Sequence, residues 1–261
     1  MIPNKDTKLY FSVSSNPGNF GATIYNSAFE YLAMNALYLP IKINDATAFS
    51  LFLKTCENIC AKGISVSMPF KKQVWRECVH GDDFVALVRN GNTIVMQYDV
   101  CFGYNTDIVG FERSCEEFLK NSKTAIVVGS GAVSDTICCV LKTHGLDYQI
   151  IKREDKLPLE RYEADFLINA SPIGMNDLYP NTIFTKDVVK NYKYVFDVVV
   201  NNSTDLLNIS RELNKDYRSG VSMVYYGLMR QFELYTNHII PESFLLNKIK
   251  DMGLNYEKLV R

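Results

Sequence analysis

The chain has 261 residues, 47% of them hydrophobic, and carries 28 basic against 29 acidic side chains for a formal net charge of -1. That length suits one large domain or two modest ones, and the balanced charge excludes a general electrostatic pull toward nucleic acid or an anionic membrane, leaving small molecules as the expected partners. No stretch approaches the roughly 20 apolar residues of a membrane span, the opening MIPNKDTKLY has no signal-type apolar region, and the seven cysteines lack metal-ligand spacing, so buried free thiols, no metal site and a reducing cytoplasm are expected.

The chain opens with a strand over 8–13, a polar loop containing Asn16, Pro17, Gly18 and Gly21, and a helix expected over 23–37. A strand over 38–43 and a helix over 46–60 follow, and Gly63 precedes a short strand over 64–68 that Pro69 both stops and converts into the next helix. Strands over 93–97 and 100–104 should pair as a hairpin around Tyr98-Asp99, with a helix over 108–119 behind them. The second half begins with an almost unbroken apolar run over 123–128, the pattern of a strand buried on both faces of a parallel sheet. Alternation continues with a helix over 133–143 closed at His144-Gly145, strands over 148–151, 165–169 and 194–200, and helices over 223–235 and 241–252. This order predicts an α/β chain with a doubly wound second half, divided near residues 107 and 235, and with the helices of 236–261 returning to the first domain.

Two stretches carry chemistry. The first, Gly129-Ser130-Gly131-Ala132-Val133-Ser134, leaves a strand and opens a helix, where backbone N–H groups and a helix N-terminus meet a pyrophosphate. Ser134 holds the third glycine position, where a small residue still permits close helix-strand packing. Beyond the following strand stand Lys152 and Arg153, cations at the place where an NAD site usually presents an acid to the ribose, which favours a 2'-phosphate and hence NADP; Glu154 and Asp155 keep NAD open. The second stretch pairs Lys71, just past Pro69 at a strand-to-helix junction, with Asp107 in Tyr-Asn-Thr-Asp. Alone, Lys71 reads as a surface lysine and Asp107 as the N-cap of a helix starting at Ile108.

In series these stretches resemble the shikimate dehydrogenase family. Its Asn-Val-Thr-x-Pro-x-Lys pattern has its counterpart in Ser65-Val66-Ser67-Met68-Pro69-Phe70-Lys71, its Val-Asn-Thr in Gly91-Asn92-Thr93, its Asn-Thr-Asp-Gly in Asn105-Thr106-Asp107, and its glycine-rich loop in residues 129–134. Lys152-Arg153-Glu154, Asn169-Ala170-Ser171-Pro172-Ile173-Gly174-Met175, residues 197–207 and Gln231-Phe232-Glu233-Leu234-Tyr235-Thr236 extend the match over nearly the whole chain. The resemblance implies an N-terminal α/β substrate domain over 1–107, a Rossmann-type NADP domain over 108–235 and reversible reduction of 3-dehydroshikimate to shikimate. It makes Lys71 and Asp107 the catalytic pair, Asn19, Ser65, Ser67, Asn92 and Asp107 substrate contacts, and Gly129, Ser130, Gly131, Ala132, Val133, Lys152, Arg153, Ala170, Ser171 and Val199 contacts of NADP.

The match departs where the family grips its substrate. The Ser-x-Ser pair of the first loop falls on Asn19 and Gly21, the asparagine before Val-Thr is Ser65, the tyrosine after the 197 strand is Val200, and a glutamine is Gly227. This pattern is similar to the divergent shikimate dehydrogenase-like branch, with Tyr225, Tyr226 or Phe20 available to reshape a pocket for a related hydroxy acid. Three functions stay open: an NADP enzyme of shikimate or a close analogue, a quinate or shikimate dehydrogenase using NAD, and a non-catalytic dinucleotide-binding regulator. Both a monomer and a homodimer fit the sequence. His80, His144 and His238 are scattered and receive no catalytic role.

Overall fold

The computed structural model describes residues 2–98, 100–155, 159–175, 179–180 and 183–254. The chain divides into two compact units, one formed by Met1–Thr106 with Leu228–Lys248 and the other by Asp107–Gly227 with Ile249–Arg261.

The first unit is built on a six-stranded mixed sheet. Its elements in chain order are β1 (Lys8–Ser14), α1 (Phe20–Tyr31), β2 (Ala36–Lys42), α2 (Ala46–Asn58), β3 (Gly63–Val66), α3 (Lys71–Glu77), β4 (Val79–His80), α4 (Asp83–Val88), β5 (Thr93–Gln97) and β6 (Val100–Tyr104). The strand order is β2-β1-β3-β5-β6-β4, with β1 parallel to both neighbours and β5 antiparallel to β3 and β6. Period-two alternation along β1 assigns its two faces. Phe11 and Val13 join Ile64, Val66, Phe49, Leu53, Phe70 and Val74 in one apolar core. Tyr10 points the other way, its ring 5.1 Å from that of Phe29 and 5.5 Å from that of Tyr235. The expected hairpin forms, with Tyr98 at φ 50 in its turn; Asp99 lies outside the described residues.

The second unit follows with α5 (Thr106–Ser114), α6 (Glu116–Asn121), β7 (Thr124–Val128), α7 (Ala132–Thr143), β8 (Asp147–Ile151), β9 (Phe166–Asn169), α8 (Lys186–Val189), β10 (Tyr194–Asp197), α9 (Asp205–Glu212), β11 (Asp216–Ser219), α10 (Gly220–Thr236) and α11 (Glu242–Asp251), of which α5, α10 and α11 cross the division between units. Its sheet is wholly parallel in the order β11-β10-β9-β7-β8. Chain order reverses at β7, which sends its connection one way to β8 while β9 pairs on its other side. In open α/β sheets the carboxyl end of such a strand is where ligands sit.

Several expected boundaries move. The first helix starts at Phe20 and stops at Tyr31, because the chain leaves the helix through Leu32 and a left-handed Ala33 at φ 52. The helix expected over 108–119 is two, parted at Cys115, and it starts earlier, so Asp107 is a first-turn residue of α5 rather than a cap. Asp205–Glu212 and the Asp216–Ser219 edge strand add a helix and a strand that apolar patterning did not signal. Six of the seven cysteines are buried free thiols, whereas Cys60 is exposed. Among the described residues no helix is long and apolar enough to cross a membrane.

A buried polar network ties the carboxyl ends of β9 and β10. Asn169 Nδ2 donates to Asp197 Oδ1 at 2.9 Å, the Val199 N–H donates to the same oxygen at 3.1 Å, and Thr204 Oγ1 donates to Oδ2 at 2.5 Å. Burial pushes the Asp197 carboxyl up from 3.8 to about 6, against the pull of these bonds toward the charged form. The folded state therefore holds this proton more tightly than the unfolded chain, so the contribution is fully present below about pH 4 and is lost as pH rises through about 6. That difference is about 3 kcal/mol. Denaturant unfolding across pH 4 to 7 should show the wild type losing stability relative to Asp197→Asn by up to that amount; parallel curves for the two proteins would contradict the assignment.

Candidate active site

The register of the first sheet sets a row of hydroxyls across its carboxyl-end region. Ser12 on β1 lies opposite Ser65 on β3, and Ser65 lies opposite Thr93 on β5. Ser65 is the hub. Its Oγ accepts from Tyr38 Oη at 2.5 Å and donates to Gln231 Oε1 at 2.6 Å, and Tyr235 Oη lies 3.0 Å away. An amide oxygen only accepts, so the single Ser65 hydrogen goes to Gln231 and Tyr235 is the donor to Ser65. Burial raises the phenols of Tyr25, Tyr38 and Tyr235 well above their ordinary value, which keeps them neutral and able to donate. One hydrogen and two lone pairs are then all committed. Ser65, expected as a substrate contact, instead organises the residues around it.

Gln231 on α10 continues the network. Its Oε1 also accepts from Tyr25 Oη at 2.6 Å, and its Nε2 donates to Thr93 Oγ1 at 2.7 Å and to the Asn92 carbonyl at 3.3 Å. Asn92 Oδ1 accepts from Thr93 Oγ1 at 2.9 Å and from the N–H and Oγ1 of Thr106 at 2.9 and 3.1 Å. Asp107 follows Thr106 directly in the first turn of α5, partly buried. Lys71, the first residue of α3, is 9% exposed, so the surface reading fails. Its carbonyl accepts from the Gly91 N–H at 2.9 Å, which docks the start of α3 against the segment carrying Asn92. The next layer is equally closed: Asn105 donates its N–H to Asp82 Oδ2 and its Nδ2 to Asn90 Oδ1, both at 3.0 Å.

The remaining substrate candidates sit at the rim. Ser67 is exposed and joined through its backbone N–H to the Val13 carbonyl at 2.9 Å. Asn19 is the exposed residue preceding α1, and its side chain makes no capping bond. Two residues on, a Cβ at Gly21 would stand 3.3 Å from Tyr38 Oη, so a side chain in that place crowds the hydroxyl on which Ser65 depends.

In the second unit three strand ends converge. Gly129 adopts φ +120, its N–H donates to the Ile151 carbonyl at 2.9 Å, and an added Cβ would lie 2.7 Å from the Ala170 carbonyl oxygen. Only glycine satisfies both the backbone angle and that approach. A Cβ at Gly131 would meet nothing within 4 Å, and Gly131 caps the twelve-residue α7 in extended backbone. Ser134 is fully buried and donates from Oγ to the Gly129 carbonyl at 2.8 Å, which holds the turn closed. These features fit a dinucleotide pyrophosphate: backbone room above Gly131 and the first turn of a long helix.

Around that turn, Ser130, Ala132 and Val133 complete the loop, and Ser171 Oγ donates to Asn169 Oδ1 at 2.6 Å beside a buried Ala170. Val199 is buried, whereas Val200 is 41% exposed. Lys152 and Arg153 stand exposed just beyond β8. Asp155 Oδ2 accepts the Lys152 N–H at 2.7 Å, so of the two acids that kept NAD open, this one is turned back on its own loop. The patterns of residues 65–71 and 129–134 pointed to these places; Thr93, Gln231 and Tyr235 enter only as motif matches with no site role, and Tyr25 and Tyr38 have none, since their meaning lies in contacts such as Tyr25 to Gln231, 206 residues apart.

No protein-family model matches the chain. The shikimate dehydrogenase-like protein of Haemophilus influenzae is 28% identical over 262 residues, covering 93% of this chain and 95% of that protein. The shikimate dehydrogenase (NADP(+)) of Aquifex aeolicus is 24% identical over 268 residues, covering 95% and 98%. Among solved structures, a shikimate 5-dehydrogenase-like protein matches with a TM-score of 0.84 at 25% identity over 95% of this chain and 98% of its own, and the Aquifex aeolicus shikimate dehydrogenase shares the fold with a TM-score of 0.85 at 21% identity over 96% and 100%. Along nearly its whole length, in sequence and in fold, the chain is thus similar to shikimate dehydrogenase and to a shikimate dehydrogenase-like protein.

Proposed function

We propose that the protein is an NADP-dependent dehydrogenase that interconverts 3-dehydroshikimate and shikimate, or a close hydroxylated ring acid. The observation that carries this reading is a buried lysine, Lys71, clasped through its carbonyl at Gly91 next to an amide, Asn92, whose direction is fixed. Bound NADP would supply the hydride acceptor or donor. In the oxidative direction the neutral Lys71 amine takes the hydroxyl proton as hydride leaves the same carbon, giving the ketone; in reduction the Lys71 ammonium returns the proton to the carbonyl oxygen. Asp107 orients the amine and the alcohol together. With its oxygen held by Thr93 and Thr106, Asn92 is fixed in one orientation beside the first turn of α5, and it would be one of the groups that meet a ring hydroxyl.

NADP would lie against the turn of Gly129, Ser130, Gly131, Ala132 and Val133, with Ala170, Ser171 and Val199 along its flank and Lys152 and Arg153 on the 2'-phosphate. The commitment of Asp155 to the Lys152 N–H favours NADP over NAD. On the substrate side, the missing hydroxyls at 19 and 21 and the saturated Ser65 support a pocket altered from the family pattern, with Asn19 as the remaining amide donor in the first loop. Quinate dehydrogenase of Corynebacterium glutamicum has been solved with NAD at 21% identity, and Glu154 is the feature of this chain that would serve that second reading.

Purified protein incubated with NADP or NAD and a panel of shikimate, quinate and analogues should reduce NADP, followed by absorbance. Lys71→Ala should lower kcat by about 10²–10⁴-fold with the NADPH dissociation constant unchanged; equal turnover by the variant would remove Lys71 from the chemistry. The double variant Lys152→Ala/Arg153→Ala should weaken NADPH by roughly 10–100-fold, the loss of one charge-assisted bond or more, and leave NADH binding near its original value. Equal loss of both cofactors would show that these cations do not read the 2'-phosphate.

A further inference from the structure

We infer that Gln231 is a positioning residue, which works through Thr93 to fix which way the Asn92 amide points and how the first turn of α5 is held. The inference rests on the dehydrogenase reading for its catalytic consequence only. Its structural content is a one-way relay of hydrogen bonds. Gln231 Oε1 accepts from Tyr25 and from Ser65, each at 2.6 Å, and Ser65 already accepts from Tyr38 and Tyr235; Nε2 faces the Asn92 carbonyl, which only accepts, at 3.3 Å, so a flipped amide would set Oε1 against a carbonyl oxygen and N–H groups against a hydroxyl with no free lone pair. Its Nε2 is thereby aimed at Thr93 Oγ1, 2.7 Å away. Thr93 is fully buried, and having accepted from Gln231 it spends its one hydrogen on Asn92 Oδ1.

That last bond decides the orientation of Asn92. Its Oδ1 faces three donors, Thr93 Oγ1 and the N–H and Oγ1 of Thr106, and an Asn92 turned over would oppose them with its own N–H₂ group. The Thr106 N–H is an otherwise unpaired first-turn donor of α5, so Asn92 caps from a distance the helix whose next residue is Asp107. The relay therefore runs from α10 through β5 to the helix start that bears the proposed carboxylate, and it keeps the Asn92 amide in one orientation.

Two variants break the relay at different links: Thr93→Val removes the hydroxyl at nearly constant shape, and Gln231→Met removes the amide. Thr93→Ser keeps the hydroxyl. Amide hydrogen exchange by NMR, on folded proteins with thermal unfolding as a check, should show Thr106 exchanging at least about tenfold faster in Thr93→Val and Gln231→Met, the equivalent of about 1.4 kcal/mol, and close to wild type in Thr93→Ser. In the same two variants kcat/KM for the hydroxy acid should fall by about tenfold or more, with the NADPH dissociation constant unmoved and with Thr93→Ser recovering most of the loss. Unchanged Thr106 exchange in both variants overturns the relay whatever the activity, and altered exchange with unchanged kcat/KM overturns its role in positioning. A wild type inactive on every acid, with the exchange pattern as expected, sinks the dehydrogenase reading and leaves the relay standing.

Discussion

The constraint on which the first unit depends is that polar atoms sealed from water must satisfy one another. On the face of its sheet under α10, three tyrosine hydroxyls, Ser65, Thr93, Gln231 and Asn92 lie within a few ångströms of each other, most of them buried. An unpaired buried group there costs about 1–3 kcal/mol, so donors and acceptors must alternate without a gap. Two side-chain amides, each with a distinct donor end and acceptor end, turn that requirement into direction. The strand register that sets Ser12, Ser65 and Thr93 side by side is thus both a packing solution and part of what holds the Asn92 amide in one orientation.

The second unit solves a different problem with simpler means. Its central strands β7, β9 and β10 are apolar on both faces, and Ile126, Val128, Leu167 and Val195 share one core with Val188 and Leu206. β9 and β10 turn polar at their carboxyl ends, where Asn169, Asp197 and Thr204 bind each other and Gly129 passes within contact of the Ala170 carbonyl. Burying the Asp197 carboxylate costs stability above about pH 6, a cost tolerated where the strand ends have to be held in register beside the phosphate-type turn.

Much of this was legible in the sequence because it is local. The apolar run of β7, the turn at Gly129 and the hairpin of β5 and β6 are each dictated by neighbours within a few residues, and each lies where periodicity and turn chemistry put it, whereas the strand expected to run to Pro69 ends at Val66. What was hidden is non-local. Phe20 and Gly21 read as loop although they open α1, where Gly21 lies against Tyr38, β11 reads as Asp-Tyr-Arg-Ser with no apolar alternation because it is an edge strand, and Cys115 splits a helix with no glycine or proline to mark the break. At the candidate site the motif residues Lys71, Asn92 and Asp107 were visible as a spaced pattern. Ser65 was visible too, but its saturation by Tyr38, Tyr235 and Gln231 depends on partners up to 170 residues away, and so turned an expected contact into an organiser.

The central claim is that this chain moves a hydride between a ring carbon bearing a hydroxyl and a nicotinamide. The most direct measurement is isotopic: shikimate, quinate and their analogues, each carrying deuterium on the carbinol carbon, are incubated with the protein and NADP or NAD, and the recovered cofactor is examined by NMR. The account predicts deuterium on the nicotinamide ring of NADPH from at least one of these acids. Cofactor recovered without deuterium from every acid, under conditions where NADPH binds tightly, would contradict it.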